Sequence, residues 1–258
     1  MEILLIGCGK MGSALKRCWQ KKYHISIISK TNPKYYKSVE ELGHNYIPDV
    51  MVLAIKPQQL REVYPLYRAV ARKCLVISVA AGVNVKTIEQ GLEAPNRVCR
   101  AMPNIAVEFG CGMTGLVAPA SLQTPFRIIA EDLFSLTGDC LWVDELHIDL
   151  LATLSGSGPA YLYKFCEMMA EIAADEGLPK EMARRLARQT LLGAGAVLAN
   201  SDASLAELRQ MVTSPAGMTA AGLEQLQAGD IVLGQLQQMF SASLKRAKEL
   251  SEFEVGDL

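Results

Sequence analysis

Six residues near the start of the chain carry most of the information about its architecture: Gly7-Cys8-Gly9-Lys10-Met11-Gly12. They follow a short apolar run, residues 2–6, and precede a helical stretch, residues 13–19. A Gly-x-Gly-x-x-Gly turn between a strand and a helix is typical of a dinucleotide-binding site, where the turn is tight and the pyrophosphate approaches the backbone. An ordinary glycine-rich turn is the alternative. The position of the turn between a strand and a helix favours the first interpretation. We predict that Gly7, Gly9, Lys10, Met11 and Gly12 bind a dinucleotide.

The remainder of the first 150 residues alternates between strand-like and helix-like segments. Short runs rich in β-branched residues predict buried strands at residues 25–28, 50–55, 75–79, 98–102, 113–117 and 141–143. Helical stretches lie between some of these strands, at residues 58–72 and 85–92. Such βαβ alternation produces a parallel sheet with right-handed crossovers. We predict that residues 1–150 form an α/β domain of the Rossmann type with a doubly wound sheet.

The pattern changes beyond about residue 144, where strand-like runs disappear. Helices are predicted at residues 161–176, 180–199 and 232–250, so residues 151–258 should form an all-helical domain. The helix at residues 180–199 carries apolar residues on nearly every face, more than one small domain can cover. We expect a partner chain to cover it. Burial inside the chain's own helical bundle is the alternative.

The composition of the 258-residue chain limits its partners and its compartment. Half of the residues are apolar, and a net charge of −1 arises from interspersed acids and bases, so neither nucleic acid nor an anionic membrane is an expected partner. Its apolar segments are too short to span a bilayer. The chain has seven scattered cysteines and no Cys-x-x-Cys pair, which argues against disulfides and a zinc site. Its three histidines lie far apart in the sequence, which argues against a metal cluster and a histidine-dependent nucleophile. We expect a cytoplasmic protein.

The turn after the second predicted strand indicates which dinucleotide binds. An NAD-specific fold usually places Asp or Glu there, about 20 residues after the glycines, to bind the ribose hydroxyls. This chain instead has Ser29, Lys30, Thr31 and Asn32, whose hydroxyl, amide and ammonium groups suit a 2′-phosphate. A solvated polar turn without this role is the alternative. We predict that Ser29, Lys30 and Thr31 bind NADPH, and that NADH binds more weakly.

Three further groups of residues follow predicted strands at the sheet edge where doubly wound folds bind ligands. We predict cofactor contacts from Ala54, Lys56 and Pro57, from Ala80, Ala81 and Gly82, and from Asn104. Small residues such as Ala81 and Gly82 would let a nicotinamide ring lie against the backbone. For Lys56, position alone leaves an ordinary surface role equally open.

Two polar segments suggest where a substrate binds. Residues 154–161, Leu-Ser-Gly-Ser-Gly-Pro-Ala-Tyr, join the predicted domains, and ligand clefts commonly form at such junctions. Residues 213–219, Thr-Ser-Pro-Ala-Gly-Met-Thr, form a polar turn before a helical stretch, with Thr219 at the expected N-cap. Hydroxyls and backbone N–H groups at a helix start can hold a small carboxylate. An ordinary connection between two helices is the alternative.

Together these residues resemble the Δ1-pyrroline-5-carboxylate reductase family, whose members make proline. The resemblance covers nearly the whole chain and includes Gly7, Gly9, Met11, Gly12, Ala54, Lys56, Pro57, Ala80, Ala81, Gly82, Met102, Pro103, Asn104, residues 155–161, Ser214, Pro215, Gly217 and Thr219. It implies hydride transfer from NADPH to the C=N bond of pyrroline-5-carboxylate. It also implies a helical domain that forms a homodimer, or a higher oligomer built from dimers.

The resemblance further implies a substrate pocket on the turn at residues 214–219. In this interpretation the Ser214 hydroxyl and the backbone N–H groups of Gly217, Met218 and Thr219 bind the substrate carboxylate, and the catalytic contact is the Thr219 hydroxyl on the ring nitrogen. Two residues depart from the family pattern, Ala216 for the usual Gly and Met218 for a common second Thr. If Ala216 needs a positive φ, the strain is about 1 kcal/mol.

Two other functions are alternatives to this interpretation. One is reduction of another small cyclic imino acid or of a hydroxyacid by a protein of the same architecture. In a hydroxyacid enzyme we expect a lysine on the helix after the junction, and Lys164 is the one nearby. The other is a non-catalytic paralogue that binds NADPH.

Overall fold

The structure, a computed structural model, describes residues 1–43 and 45–256, with side chains up to residue 249. The chain divides into two compact units, residues 1–157 together with residues from 243 onward, and Gly158–Ala242. We call these the sheet unit and the helical unit. The boundary placed at residues 150 and 151 from the sequence stays a prediction. None of the described helices is long and apolar enough to cross a membrane.

The sheet unit contains seven strands in the spatial order β2-β1-β3-β4-β5-β6-β7. Their bounds are β1 Glu2–Ile6, β2 His24–Ile28, β3 Val50–Leu53, β4 Leu75–Ser78, β5 Val98–Pro103, β6 Gly112–Val117 and β7 Gly138–Trp142. Strands β1 to β5 pair in parallel. The strand order changes direction between β1 and β3, and the carboxyl ends of these strands border the crevice where such folds bind ligands. The predicted Rossmann-type sheet is confirmed.

In the described part of the chain, five α-helices connect or follow the strands of the sheet unit. They are α1 Lys10–Trp19, α2 Leu60–Ala71, α3 Val85–Leu92, α4 Thr124–Ser135 and the short α5 Ile148–Leu151, which is followed by a π-helical turn, Ala152–Gly156. Alternate residues of β1 belong to two separate hydrophobic cores, with Ile3 and Leu5 in one and Leu4 and Ile6 in the other. Both faces of the sheet are therefore covered, which explains why its strands lack polar alternation.

Each of the two cores contains a cysteine. Cys74 lies in the core around Leu4, and Cys99 lies in the core around Ile3. Burial raises the pKa of each thiol to about 12. Both side chains therefore remain protonated and unreactive in the folded protein.

The structure corrects several details of the sequence prediction. Strand β6 runs antiparallel to β5, although a parallel sheet was expected, because the connection at residues 104–111 is too short for a crossover. Strand β7 begins at Gly138 rather than at residue 141. Helix α1 begins at Lys10, earlier than residue 13. Helix α4 was not predicted, although Pro125 in its first turn is a helix-start signal.

The helical unit leaves most of its apolar side chains uncovered. Its helices are α6 Gly158–Asp175, α7 Lys180–Ala199, α8 Leu205–Met211 and α9 Met218–Gln227, and it includes the first part of α10, Ile231–Gly256. Among its described residues, the buried apolar side chains are Ala170, Ala183 and Ala187. Large apolar side chains on α7, such as Leu186 and Leu192, are more than half exposed. The alternative that α7 is buried within its own bundle is therefore wrong for a single chain.

Candidate functional site

The glycine turn between β1 and α1 has the geometry that its sequence requires. Gly7 has a φ of +89°, and a Cβ atom there would lie 2.5 Å from the carbonyl oxygen of Ala54. A Cβ atom on Gly12 would lie 2.6 Å from the carbonyl oxygen of Gly7. Side chains at these two positions would force the backbone apart, so glycine is needed for the turn and for the contact between helix and strand.

Gly9 differs from the other two glycines because a Cβ atom on it would meet no protein atom within 4 Å. It is the N-cap of α1, with no side-chain cap and no acidic residue in the first turn. The Ser13 hydroxyl donates to the Cys8 carbonyl at 3.2 Å and fixes the turn. Open space therefore lies over free N–H groups at a helix N-terminus, an arrangement that fits a pyrophosphate.

The segment after β2 was predicted to contact the adenosine end of a dinucleotide. Ser29 is buried, and its hydroxyl lies 3.4 Å from that of Thr31, while Lys30 is exposed. The sequence analysis missed Lys37, whose ammonium donates to the carbonyl oxygens of Ser29 and Asn32 at 2.9 and 2.7 Å. No motif marks Lys37, and only the fold of the segment brings it there.

A cavity of about 490 Å³ lies in the sheet unit beside the glycine turn. It brings together four of the predicted cofactor residues, Met11, Ala81, Gly82 and Asn104. Gly82 has a φ of +79°. The cavity does not include Lys56, which is exposed and precedes a single 3-10 turn, or its neighbours Ala54 and Pro57. Ala80 is buried and does not line the cavity.

Asn104 has a positioning role in the wall of this cavity. Its side-chain oxygen accepts hydrogen bonds from the backbone N–H groups of Ala106 and Met113, at 3.1 and 3.3 Å. Its amide nitrogen donates to the carbonyl and the hydroxyl oxygen of Ser155, at 3.3 and 3.1 Å. These four bonds use the capacity of the amide and tie the end of β5 to the π-helical turn. The predicted contact with cofactor stays a prediction.

Arg100, also in the cavity wall, was missed by the sequence analysis. Its side chain is 5% exposed and forms an ion pair with Glu145 at 2.5 Å between Nη1 and Oε1. The second oxygen of Glu145 accepts from the backbone N–H of Val85 at 3.2 Å, at the start of α3. Arg100 Nε has no hydrogen-bond partner in the described structure. A charged residue inside an apolar strand was the available sequence signal.

The polar turn of the helical unit differs from its predicted form in one respect. Helix α9 begins at Met218, with Gly217 as the N-cap, so the expectation that Thr219 is the N-cap is wrong. The Gly217 N–H donates to the Ser214 carbonyl at 3.0 Å and is not free for a ligand. Ala216 has a φ of +56°, so it adopts the left-handed conformation that its place in the turn suggested.

The N-terminus of α9 offers a set of free polar groups. The N–H groups of Met218, Thr219 and Ala220 occupy the first turn, where a helix provides no internal acceptor. The side chains of Ser214 and Thr219 are exposed, and the structure gives neither hydroxyl a partner in the described residues. Met218 is 95% exposed. Such a turn can hold a small carboxylate by donors alone.

The described residues contain no group of three or more His, Cys, Asp or Glu side chains that could hold a metal ion. Lys164, the lysine considered for a hydroxyacid enzyme, is exposed on α6 and pairs with Glu167 at 3.2 Å.

Two family models match the chain. Residues 145–250 match "Pyrroline-5-carboxylate reductase dimerisation", and residues 2–82 match "NADP oxidoreductase coenzyme F420-dependent". The chain is 36% identical to a pyrroline-5-carboxylate reductase of Methanosarcina acetivorans, over 97% of this chain and 98% of that protein.

Solved structures show the same relationship. A pyrroline-5-carboxylate reductase from Coxiella burnetii is 32% identical, with a TM-score of 0.88, over 96% of this chain and 98% of that one. The Plasmodium falciparum pyrroline carboxylate reductase, solved with NADP bound, is 24% identical, with a TM-score of 0.81, over 97% of this chain and 98% of that one. At 24% sequence identity, the similarity to the Plasmodium falciparum protein shows a shared fold.

Proposed function

Since the chain belongs to the pyrroline-5-carboxylate reductase family, we propose that it transfers a hydride from NADPH to the C=N bond of Δ1-pyrroline-5-carboxylate and so forms L-proline. The observation that carries this proposal is a match over nearly the whole length of relatives named for that activity. A match of this extent favours it over reduction of a hydroxyacid or another imino acid, and over a non-catalytic paralogue.

The sheet unit is proposed to bind the cofactor. NADPH supplies the hydride. The first turn of α1, from Gly9 to Met11, would hold the pyrophosphate, since its N–H groups face open space. The cavity beside Ala81, Gly82 and Asn104 has the volume and the small residues to receive a nicotinamide ring. For Ala54, Lys56 and Pro57 the proposed role is to shape the crevice at the end of β3.

NADPH is the proposed cofactor, with NADH used more weakly. The residues proposed to contact the 2′-phosphate are Ser29, Lys30 and Thr31, which offer hydroxyls and a cation where an NAD-specific fold has a carboxylate. The match to a family of NADP oxidoreductases supports this choice.

The turn before α9 is proposed to bind the substrate. Its carboxylate would accept hydrogen bonds from the Ser214 hydroxyl and the N–H groups of Met218 and Thr219; for Gly217, the bond to Ser214 leaves a role in shaping the turn. The Thr219 hydroxyl would contact the ring nitrogen. Threonine is a poor acid, so the proton comes with the iminium substrate or from water through Thr219.

The chain is proposed to act as a homodimer, or a higher oligomer of dimers, in the cytoplasm. The match to a dimerisation family covers the whole helical unit, and a partner chain would bury the exposed apolar side chains of that unit. Seven free cysteines suit a reducing compartment.

Oxidation of NADPH in the presence of pyrroline-5-carboxylate tests the proposed function, with Thr219→Ala, Thr219→Val and Ser214→Ala as variants. Loss of the Thr219 hydroxyl should lower kcat, because about 1–3 kcal/mol of transition-state stabilisation is lost, and it should leave the affinity for NADPH unchanged. Ser214→Ala should chiefly raise KM for the substrate, because it weakens the carboxylate contact in the ground and transition states alike.

The control is Ser135→Ala, on an exposed hydroxyl of α4 that bonds only the Asp132 carbonyl. It should behave as the wild type. No turnover by the wild-type protein would refute the reductase assignment. Wild-type kinetics in both Thr219 variants would instead remove the turn from the mechanism.

A further inference from the structure

The loop after β2 is closed at its base by backbone hydrogen bonds. The Ser29 N–H donates to the Tyr36 carbonyl at 3.0 Å, and the Tyr36 N–H donates to the Ile27 carbonyl at 3.1 Å. These two bonds pair Tyr36 with Ile28 as an isolated parallel bridge beside β2. The loop that contains Ser29, Lys30 and Thr31 therefore has a fixed base, and its tip at residues 30–34 lies at the surface.

Lys37 immediately follows this base and reaches back to the loop. Its ammonium donates to the Ser29 carbonyl at 2.9 Å and to the Asn32 carbonyl at 2.7 Å. Its backbone N–H donates to Glu41 at 3.0 Å, which fixes the start of the side chain. The two carbonyls lie at the ends of the segment 29–32, so one ammonium group sets the spacing of its ends.

The charge on Lys37 matters as much as its hydrogen bonds. An ammonium has three donors, and two of them are used here on neutral carbonyls, which do not compensate a positive charge. A phosphate monoester carries about −1.5 to −2 charges near neutral pH. A cation attached to the backbone of the loop would therefore attract such a group more strongly than a mobile surface lysine, which loses more side-chain entropy on binding.

We propose that Lys37 is a positioning residue for recognition of the cofactor's 2′-phosphate. It holds the 29–32 segment in the conformation that presents Ser29 and Thr31, and it adds a positive charge fixed at the Ser29 and Asn32 carbonyls. The inference rests on the proposed function, because it concerns the cofactor preference of that same site. NADH has no 2′-phosphate, so the contribution of Lys37 belongs to NADPH alone.

Calorimetric titration of the cofactor-free protein with adenosine 2′,5′-bisphosphate and with 5′-AMP isolates this contribution. Lys37→Met should lower the affinity for the bisphosphate by roughly tenfold or more, as expected for lost charge-assisted hydrogen bonds. The affinity for 5′-AMP should change by less than about twofold. In steady-state kinetics KM for NADPH should rise and kcat should stay the same.

Two further variants separate the charge from the hydrogen bonds. Lys37→Arg keeps both and should restore most of the bisphosphate affinity. Lys37→Gln keeps an amide donor without the charge and should fall between the wild type and Lys37→Met. The matched control is Lys34→Met, since Lys34 is an exposed lysine of the same loop to whose ammonium the structure gives no partner. It should stay within about twofold of the wild type for both ligands.

An unchanged affinity of Lys37→Met for the bisphosphate would overturn the inference. An equal loss of affinity for the bisphosphate and for 5′-AMP would also overturn it, because that result indicates a purely structural role. If Lys37→Met does not fold, the Arg and Gln variants decide, and equal behaviour of these two toward the bisphosphate overturns the role of the charge. A wild-type protein that does not prefer the bisphosphate contradicts the NADPH assignment of the proposed function instead.

Discussion

The two units of the chain use apolar residues in opposite ways. In the sheet unit, Leu5 and Ile77 are completely buried, and helices cover both faces of the sheet. In the helical unit, alanines are the buried apolar residues among those the structure describes, and side chains as large as Leu192 are more than half exposed. The sheet unit thus has its own core, whereas the helical unit has apolar surface in excess of what its own chain covers.

The two units should therefore respond differently to mutation. A mutation in the sheet unit acts within one chain, since the core that it damages is complete there. A mutation on an exposed apolar face of α7 acts between chains, because that face is stabilised when a partner covers it.

The double substitution Leu186→Asp and Leu192→Asp should abolish association and at least most of the activity. Each places a carboxylate at an apolar position of α7 that its own chain leaves more than half exposed, and an unpaired charge in a buried interface costs roughly 3–5 kcal/mol. Light scattering measures the mass. Leu66→Asp is the control, because Leu66 is 59% exposed on α2 of the sheet unit and Leu192 is 56% exposed. A double variant that remains an active oligomer would contradict this difference between the two units.

Leu5→Ala should lower the free energy of unfolding by about 2–5 kcal/mol without changing the oligomeric mass. Leu5 is completely buried in β1, and truncation leaves a cavity between sheet and helices. Urea unfolding, followed by circular dichroism, measures the loss. Leu66→Ala, an equal truncation at an exposed position, should change the free energy by less than about 0.5 kcal/mol. Equal losses in both variants would show that the sheet core is not the source of stability.

Ala216→Gly should stabilise the turn before α9 by about 0.5 kcal/mol. The left-handed φ of Ala216 costs about 1–2 kcal/mol, and glycine removes this strain. Glycine also raises the entropy of the unfolded chain, which offsets about 0.4–1 kcal/mol of the gain in stability. Thermal unfolding and KM for the substrate check the change. Ala220→Gly, in the first turn of α9, should instead destabilise the protein, because glycine loses more backbone entropy than alanine on entering the helix. A loss of stability in Ala216→Gly would mean that the turn tolerates alanine without strain.

Glu2→Gln should make stability less sensitive to acid. Burial acts to raise the pKa of Glu2, but hydrogen bonds from Ser26 and Tyr46, both 2.8 Å long, and the neighbouring His24 outweigh it and hold the pKa below its ordinary value. A carboxylate with a lowered pKa stabilises the fold above the unfolded pKa, and this contribution is lost as pH falls through the folded pKa.

Urea unfolding at about pH 6 and about pH 3.5 measures this effect. The difference between the two pH values should be smaller in Glu2→Gln than in the wild type. Glu62→Gln serves as the control, because Glu62 is exposed and the structure gives its carboxylate no such hydrogen bonds. An unchanged difference in Glu2→Gln would show that this carboxylate is not linked to folding.

The sequence predicts those parts of the sheet unit in which a local motif by itself determines the backbone conformation. The glycine turn is an example, because its residues determine both its conformation and its open N–H groups. The antiparallel direction of strand β6 was missed, although the predicted strands at residues 98–102 and 113–117 leave too short a connection for a parallel crossover. The sequence predicts α7 to the residue, and only the structure shows how little of α7 its own chain covers.

The candidate site shows the same limit. Ser214 and Thr219 could be found from the sequence because a polar turn before a helix has a recognisable composition. Lys37 and Arg100 could not be assigned roles, because their partners lie on segments that meet only in the fold. Asn104 was predicted from the sequence as a cofactor contact, which stays a prediction, and its four hydrogen bonds are visible only in three dimensions.

Two of the three buried thiols among the described residues, Cys74 and Cys99, report independently on the opening of the sheet unit. Cys74 and Cys99 lie in different cores, on opposite faces of the sheet, whereas Cys111 is exposed. An alkylating reagent should modify Cys111 at once and reach each buried thiol only during transient opening of its core. The ratio of the two slow labelling rates then reports whether the faces of the sheet open together, as in one cooperative unit, or separately.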